Sequence, residues 1–278
     1  PVAVFCASNF PLAFSVAGGD TTSALAAGCP VIVRAHSAHP ETAELVAGAV
    51  QQAVISCGLP EGTFSMIFDD GISLGSQLVQ DPAIKAVGFT GSRSGGRALM
   101  DLAAARHEPI PVYAEMSSIN PIFILPGAMA ERGEDIAKNL VGSVTIGAGQ
   151  FCTCPGLVFA QHSDGFSQAL SLGFGQMPTA TMLHKGICSN YTKGIETLET
   201  QPGIEVLAKI KSVEGDCQAG PAIFKTTHDQ FIANPVLSNE VFGPAALIVE
   251  YEKSDELLSA ASSLEGQLTA TVHGTEED

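Results

Sequence analysis

The sequence predicts an α/β protein in which a doubly wound, Rossmann-like parallel sheet is followed by a second α/β unit. Three observations favour this fold class. Short apolar runs alternate with helical patterns over the first 120 residues, 45% of the residues are hydrophobic, and only 15% are charged. A chain of 278 residues with this composition can bury one large core or two medium ones. Strands that alternate with helices form parallel sheets that are covered on both faces.

The first part of the chain contains four strand–helix repeats. The strands are predicted at VAVFCA, PVIVRA, FSMIF and IKAVGFTG, and the helices at FSVAGGDTTSALAAG, 41–56, 74–79 and 95–105. Asn9 follows the first strand and precedes Pro11, an arrangement that suits the start of a helix. A further apolar strand ends at Glu115.

The pattern changes near Ser117, where we expect a domain boundary that separates 1–117 from 118–278. The second part is predicted to contain strands at PIFILP, LVFAQ, AALIVEY and QLTATVHG, and helices over 131–146 and near 254–263. The stretch from 163 to 235 is rich in Gly, Pro and Thr and gives no clear pattern. Both ends of the sequence are abrupt, so we expect a fragment that lacks N- and C-terminal parts.

Charge and cysteine content exclude several classes of function. The formal net charge of −16 argues against a nucleic-acid or anionic-membrane partner, because both require a basic surface. Seven scattered cysteines indicate a reduced, intracellular protein and not a disulfide framework. No signal peptide pattern and no apolar run of roughly 18 residues is present. We therefore expect a cytoplasmic protein.

Two residues are candidates for covalent chemistry. Cys152 lies in the glycine-rich segment GAGQFCTCPG, where glycines permit unusual backbone angles and the close approach of a ligand. A structural cysteine is the simpler interpretation, and Cys154 adds the alternative of a C-x-C metal or redox pair. No second Cys/His cluster accompanies that pair, so we expect no metal site. Glu115 ends a strand, where it is either a surface residue or a base in a partly desolvated pocket.

Two further segments have binding chemistry. The Asn9 amide could cap a turn or donate to a developing oxyanion. The GFTGS segment (88–92) lies where a strand turns into a helix, and the backbone N–H groups of such turns favour phosphate. Turns of this kind are common, so this signal alone leaves both interpretations open.

Together, these segments resemble the aldehyde dehydrogenase superfamily, with the motifs in the expected order. SNFP is similar to the oxyanion motif of that superfamily, VIVRAHSAHP to its ribose motif and GFTGS to its pyrophosphate motif. AEMSS is similar to its glutamate motif, GQFC to its nucleophile motif and NEVFGP (239–244) to its nicotinamide-riboside motif. Within the superfamily, the exact sequence of the motif segments most resembles the branch of 2-oxoglutarate semialdehyde (2,5-dioxovalerate) dehydrogenases. The segments that carry this resemblance are ASNFPLAFSVAGGDT, GSRSGGRAL, EMSSINP and GQFCTCPG, and related fatty aldehyde dehydrogenases share them.

The resemblance implies an NAD(P)-binding domain over 1–117 and a catalytic domain over 118–278. It implies that Cys152 attacks the aldehyde, that Asn9 and the Cys152 N–H stabilise the oxyanion, and that Glu115 activates water to hydrolyse the thioester. It also implies a homodimer or homotetramer. The positions that correspond to cofactor contacts in the family are Arg34, Ser37, Gly91, Ser92, Glu240 and Phe242.

Three departures from the family pattern affect these expectations. Arg34 replaces the usual ribose-contacting Lys, and Ser37 replaces the acidic residue of NAD-preferring members. A site without that carboxylate would not repel a 2′-phosphate, and this slightly favours NADP over NAD. Related NADP-dependent enzymes carry an Arg that would fall near 71–72, and no cation is present there in this sequence. Ser117 replaces a common Gly after the glutamate. Cys154 replaces the usual Asn two positions after the nucleophile.

Three alternatives remain. A fatty aldehyde would suit the same motifs. An acylating dehydrogenase that transfers the thioester to coenzyme A is less favoured, because such relatives often lack the glutamate. A catalytically inert fragment that acts as a binding or structural module is the third alternative.

Overall fold

The computed structural model describes residues 1–69, 71–212 and 217–278, which form two compact units, Pro1–Ser117 and Ser118–Asp278. The structure confirms the predicted α/β class. The predicted roles of the two parts, cofactor binding and catalysis, stay predictions. Within the described residues, no helix has the length and apolar character that crossing a membrane requires.

The first unit is built on a five-stranded parallel sheet with the order β3-β2-β1-β4-β5. Its strands are β1 (Val2–Phe5), β2 (Val31–Arg34), β3 (Phe64–Ile67), β4 (Ala86–Thr90) and β5 (Val112–Glu115). Its helices are α1 (Gly19–Ala26), α2 (Pro40–Ser56), α3 (Ser73–Gln80) and α4 (Arg93–Ala104). Apolar side chains cover both faces of the sheet, as expected of parallel strands that are joined by helices.

Glycine ends the first two helices. Gly28 and Gly58 follow α1 and α2 with φ values of 76° and 65°, in the left-handed region that glycine adopts at low cost. In each case the next residue donates its N–H to a carbonyl five residues back, at 2.9 Å from Cys29 and 3.0 Å from Leu59. These bonds satisfy carbonyl groups at the helix ends and direct the chain back to the sheet.

The second unit contains a six-stranded sheet with the order β13-β6-β7-β12-β11-β9, which is parallel except for the antiparallel edge strand β9. Its strands are β6 (Ile122–Ile124), β7 (Leu157–Gln161), β9 (Glu205–Lys209), β11 (Ala222–Thr227), β12 (Ala245–Tyr251) and β13 (Thr271–His273). A small antiparallel ladder joins β8 (Ala180–Thr181) to β10 (Gln218–Ala219). The helices are α5 (Pro126–Thr145), α6 (Asp164–Gly175), α7 (Lys185–Glu199), α8 (His228–Ala233) and α9 (Ser254–Ser263).

Several predicted elements differ from those in the structure. No helix begins at Pro11, because residues 11–14 form a turn in which the Phe14 N–H donates to the Phe10 carbonyl at 3.2 Å. The helix predicted from Phe14 therefore begins only at Gly19.

In the second unit, α5 begins five residues before the predicted start at 131, since Pro126 suits the first helical turn. The strand predicted at 267–274 is limited to β13. The stretch that gave no clear pattern contains α6 to α8 and four strands, and 213–216 lie outside the described residues.

Candidate active site

The carboxyl edge of the first sheet carries the predicted site residues of the first unit. Chain order runs outward from β1 to β3 and then returns to β4 on the other side of β1. The crevice at such a switch point, at the carboxyl ends of the strands, is where doubly wound sheets bind ligands. The last residues of β2 and β5 and the loops after β1 and β4 bring five predicted residues to this edge: Asn9, Arg34, Gly91, Ser92 and Glu115.

Asn9 lies on the loop between β1 and α1. The loop is closed by the Ala7 N–H, which donates to the Phe14 carbonyl at 2.8 Å. The Ala7 carbonyl also lies 2.9 Å from Nε2 of His39, at the start of α2. Because both ends of this loop are held, the partly buried Asn9 is carried on a defined turn and not on a helix.

Arg34, the last residue of β2, contacts the loop after β3. Its Nη2 donates to the Gly71 carbonyl at 2.8 Å. Sequence alone indicated no cation near 71–72, and the structure places the Arg34 guanidinium there. Asp69 lies close by, and hydrogen bonds from the backbone N–H groups of Gly71 (2.9 Å) and Gly75 (3.1 Å), together with the Arg34 charge, hold the pKa of its carboxyl below the usual value. Ser37 is exposed on the loop after β2.

Gly91 and Ser92 form the turn from β4 into α4. The Gly91 N–H donates to the backbone carbonyl of Glu115 at 3.0 Å, which ties this turn to the end of β5. A Cβ on Gly91 would lie 2.7 Å from the ring of Phe89, so a side chain there would need that ring to move. The Ser92 hydroxyl accepts the Gly95 N–H at 3.2 Å and caps α4. A small residue and a capped helix start suit the approach of an anion.

Glu115 is the last residue of β5 and pairs with Thr90 of β4. Its side chain is partly buried. The carboxylate thus lies on a strand, whose backbone is fixed by the neighbouring strand, and not on a loop.

In the second unit, Asn120 fixes the loop that carries Cys152. Its side-chain Nδ2 donates to the carbonyls of Cys152 (2.8 Å) and Cys154 (2.9 Å). Its Oδ1 accepts from the hydroxyls of Ser118 (2.9 Å) and Thr269 (3.0 Å). All four hydrogen bonds involve a side chain that is 2% exposed, so the loop is held by a buried, fully used amide.

The residues before Cys152 adopt an unusual backbone. Gly147, Ala148 and Gly149 have consecutive φ values of 57°, 57° and 64°, and left-handed alanine costs roughly 1–2 kcal/mol. A Cβ on Gly149 would collide with the backbone of Gly243 and Pro244, so only glycine fits. Strain that the surrounding structure holds in place is typical of functional loops.

Gln150 connects this backbone to the rest of the unit. Its Nε2 donates to the Gly147 carbonyl at 3.0 Å, and its Oε1 accepts the Leu183 N–H at 2.9 Å. Cys152 follows two residues later and is partly exposed. The loop therefore presents a thiol on a backbone that has little freedom to move.

Cys154 differs from Cys152 in its surroundings. Burial raises the pKa of its thiol to about 12, with a smaller contribution from the charge of Glu240. Its Sγ lies 3.7 Å from the Val144 carbonyl. All seven cysteines are free thiols, and the part of the chain that the structure describes contains no metal-binding group of three or more His, Cys, Asp or Glu.

Glu240 and Phe242 line a small cavity in the second unit together with Phe151 and Cys154. The Glu240 carboxylate accepts the Ser118 N–H at 3.4 Å. The structure thus groups Glu240 and Phe242 with the loop of the predicted nucleophile, and their predicted contact with the cofactor stays a prediction.

Two residues that support the site, Asn120 and Gln267, have no predicted role in the sequence motifs. Asn120 lies in the EMSSINP segment, which contributed to the family resemblance without a role for its asparagine. Gln267 accepts the Ile119 N–H at 2.7 Å and the Ser118 hydroxyl at 3.1 Å, through contacts that span nearly 150 residues. Asn120 has a left-handed backbone with φ 45°, a conformation that asparagine adopts more readily than most residues. An asparagine in a sequence is only a weak indication of such a position.

Comparison with known proteins adds an independent finding. The model of the family described as "Aldehyde dehydrogenase family" matches residues 1–278. The chain is 51% identical to "Alpha-ketoglutaric semialdehyde dehydrogenase 2" of Azospirillum brasilense over 281 residues, covering 100% of this chain and 54% of the relative. It is 46% identical to "Alpha-ketoglutaric semialdehyde dehydrogenase" of Acinetobacter baylyi, covering 100% of this chain and 53% of the relative.

Solved structures show the same fold. A crystal structure of a bifunctional proline utilization A protein matches 98% of this chain and 28% of its own, with a TM-score of 0.81 and 26% identity. An NAD-dependent benzaldehyde dehydrogenase from Corynebacterium glutamicum matches 100% of this chain and 60% of its own, with a TM-score of 0.80 and 23% identity. The chain spans about half the length of the curated relatives it matches.

Proposed function

Because the chain belongs to the aldehyde dehydrogenase family, we propose that the protein oxidises an aldehyde to a carboxylic acid through a thioester on Cys152. The resemblance stated from the motifs is thereby confirmed at the level of the family. The observation that supports the chemistry best is the Cys152 loop, in which a partly exposed thiol is held on a strained backbone by the buried Asn120 amide.

Each residue has a defined role in the proposed reaction. The Cys152 thiolate attacks the aldehyde carbon, and the Asn9 amide and the Cys152 N–H donate to the oxygen that becomes negative. That carbon becomes a thioester by losing a hydride, which bound NAD(P) would accept. Glu115 then takes a proton from water as the water oxygen bonds to the thioester carbon. The carbon–sulfur bond breaks, and the carboxylic acid and the Cys152 thiolate are released.

The first unit has features that fit NAD(P). Gly91 carries no side chain at the turn after β4, Ser92 caps α4, and the Arg34 guanidinium lies beside Gly71 on the neighbouring loop. When bound, the cofactor accepts a hydride from the substrate carbon. Ser37 supplies no negative charge against a 2′-phosphate, so we propose a slight preference for NADP over NAD.

Glu240 and Phe242 are proposed to hold the nicotinamide riboside. The cavity that they line in the second unit is consistent with a binding role.

The proposed preference is tested with Arg34→Ala. We expect the Kd for NADP to rise about tenfold, equal to about 1.4 kcal/mol, and the Kd for NAD to rise less. Lys138→Ala, which removes an exposed cation in the second unit, serves as the control. Equal weakening of both cofactors by Arg34→Ala would contradict a contact with the 2′-phosphate.

We propose 2-oxoglutarate semialdehyde as the substrate, because the relatives at 46–51% identity carry that name in the form alpha-ketoglutaric semialdehyde. The full-length protein should have a higher kcat/KM for this aldehyde than for a long-chain fatty aldehyde. The reverse ranking would reject the assignment and favour a fatty aldehyde dehydrogenase. We also propose a cytoplasmic homodimer or homotetramer, which light scattering on the full-length protein checks.

A second candidate function is that the 278-residue chain by itself is a catalytically inert module, because it spans about half the length of its relatives. Thiol labelling with iodoacetamide distinguishes the two. Selective labelling of Cys152 that NADP changes supports the enzyme site in this chain. Slow, uniform labelling of the accessible cysteines supports an inert module.

A further inference from the structure

The loop that carries Asn9 is fixed to the rest of the first unit at both of its ends. At the far end the backbone folds tightly on itself, since a Cβ on Gly18 would collide with the carbonyl oxygen of Ala13. At the near end, Ala7 is 1% exposed, and Nε2 of the His39 imidazole lies 2.9 Å from its carbonyl oxygen. A side chain from another part of the unit therefore holds the backbone two residues before Asn9.

His39 is itself held in place, because it is the residue that begins α2. Its backbone carbonyl accepts the Ala43 N–H at 3.1 Å, and its own N–H donates to the His36 carbonyl at 3.3 Å. The imidazole rings of His36 and His39 stack, with their centroids 5.7 Å apart and their planes inclined by 29°. Since α2 is 17 residues long and packs on the sheet, the His39 ring is a fixed point that the loop contacts.

The surroundings of the His39 ring favour one of its two neutral tautomers. A carbonyl oxygen only accepts hydrogen bonds, so Nε2 must carry the proton that is shared with Ala7. Nδ1 is buried and has no hydrogen-bond partner within the part of the chain that the structure describes. A proton on Nδ1 would therefore be buried without an acceptor, at a cost in free energy. The ring thus acts as a hydrogen-bond donor to the loop.

We propose that His39 is a positioning residue for Asn9, and that it sets the direction of the Asn9 amide by holding the Ala7 carbonyl. This inference rests on the proposed function, in which the Asn9 amide donates to the oxygen that becomes negative when Cys152 attacks the aldehyde. Such a donor accelerates the reaction only when it is held in place beforehand, and a displacement of about 1 Å can lower a rate by as much as about a hundredfold. His39 contacts neither substrate nor cofactor in this role.

The test measures the rate of NADPH formation in a single turnover of the full-length enzyme. His39→Ala should lower this rate about tenfold, because the near end of the loop is then free to move. His39→Gln should restore the rate to within about threefold of the wild type, since the glutamine amide offers an N–H where Nε2 lies. His39→Asn should not restore it, because the shorter side chain places its N–H near the position of Nδ1. The KM for the aldehyde and the Kd for NADP should change by less than about twofold.

A double variant identifies Asn9 as the residue through which His39 acts. Asn9→Ala alone should lower the single-turnover rate about a hundredfold, as expected for the loss of an oxyanion donor. Adding His39→Ala to Asn9→Ala should cause no further loss, because the group that His39 positions is already absent. His107→Ala is the matched control and should leave the rate unchanged, since it removes an exposed histidine between α4 and β5 of the same unit.

The hydrogen bond itself can be measured without catalysis. Nitrogen NMR of the full-length protein with labelled histidine should show a His39 ring with its proton on Nε2, and His39→Gln assigns the resonance by removing it. A neutral His39 ring with its proton on Nδ1 would overturn the proposal, because such a ring cannot donate to the Ala7 carbonyl.

The kinetic outcomes separate this inference from the proposed function. If Asn9→Ala does not slow the single turnover, the oxyanion role in the proposed function fails. If Asn9→Ala slows it and His39→Ala does not, the positioning role is wrong and the proposed function stands. The same conclusion follows if the losses caused by Asn9→Ala and His39→Ala multiply in the double variant, or if His39→Gln is as slow as His39→Ala.

Discussion

The Asn120→Ala substitution removes the side chain that holds the Cys152 loop. Four hydrogen bonds are lost, two to the carbonyls of Cys152 and Cys154 and two from the hydroxyls of Ser118 and Thr269. Each buried hydrogen bond contributes about 1 kcal/mol net, and alanine at φ 45° adds about 1 kcal/mol of strain. We therefore expect the free energy of unfolding to fall by about 4–5 kcal/mol.

Urea denaturation of the 278-residue chain, followed by circular dichroism, measures this loss. Asn139→Ala is the matched control, because Asn139 is exposed on α5, where alanine is a good helix former. It should change the free energy of unfolding by less than about 0.5 kcal/mol. Hydrogen exchange at the Cys154 amide should also become faster in Asn120→Ala. A loss below about 1 kcal/mol, with unchanged exchange, would refute the role assigned to Asn120.

Three further predictions follow from backbone geometry and from pKa shifts. Gly149→Ala should cost more than about 3 kcal/mol in the same denaturation assay, because a Cβ there collides with the backbone of Gly243. Gly142→Ala, in the exposed last turn of α5 where a Cβ meets nothing within 4 Å, should instead stabilise the protein by about 0.5–1 kcal/mol. Similar effects of the two substitutions would contradict the geometry. Burial raises the pKa of Cys154 to about 12, so the rate at which its thiol is alkylated should be low at roughly pH 8 and rise about tenfold per pH unit. Rapid labelling of Cys154 at roughly pH 8 would be inconsistent with this burial. The lowered pKa of Asp69, caused mainly by the backbone N–H two residues on, means that its stabilisation is present above about pH 4 and is lost as pH falls through the lowered value. Asp69→Asn should therefore reduce the loss in the free energy of unfolding at acidic pH, measured by urea denaturation. An unchanged pH dependence in Asp69→Asn would contradict this contribution of Asp69 to stability.

The sequence predicted the first unit well because its signals are local. Apolar strands and helical periodicity alternate over short distances, and the parallel order follows from that rhythm. The start of α1 was wrong for a physical reason. Pro11 favours a first helical turn, but Phe14 bonds back to Phe10 and closes a turn, and the helix begins only after Gly18.

The candidate site was predicted only in part, because motifs name residues and not their partners. The Arg34–Gly71 bond joins residues 37 positions apart, and no local pattern indicates it. The same holds for Asn120, which contacts the Cys152 loop 32 residues later.

In the proposed reaction, Cys152 carries the acyl group and Glu115 releases it. Mass spectrometry of the full-length Glu115→Gln protein, after a single turnover with NADP and the aldehyde, tests this claim directly. We expect an acyl adduct on the peptide that contains Cys152, and no adduct on that peptide when Cys152→Ala is added. An adduct on another cysteine, or continued turnover without any adduct in the Glu115→Gln protein, would show that these two residues do not have the proposed roles.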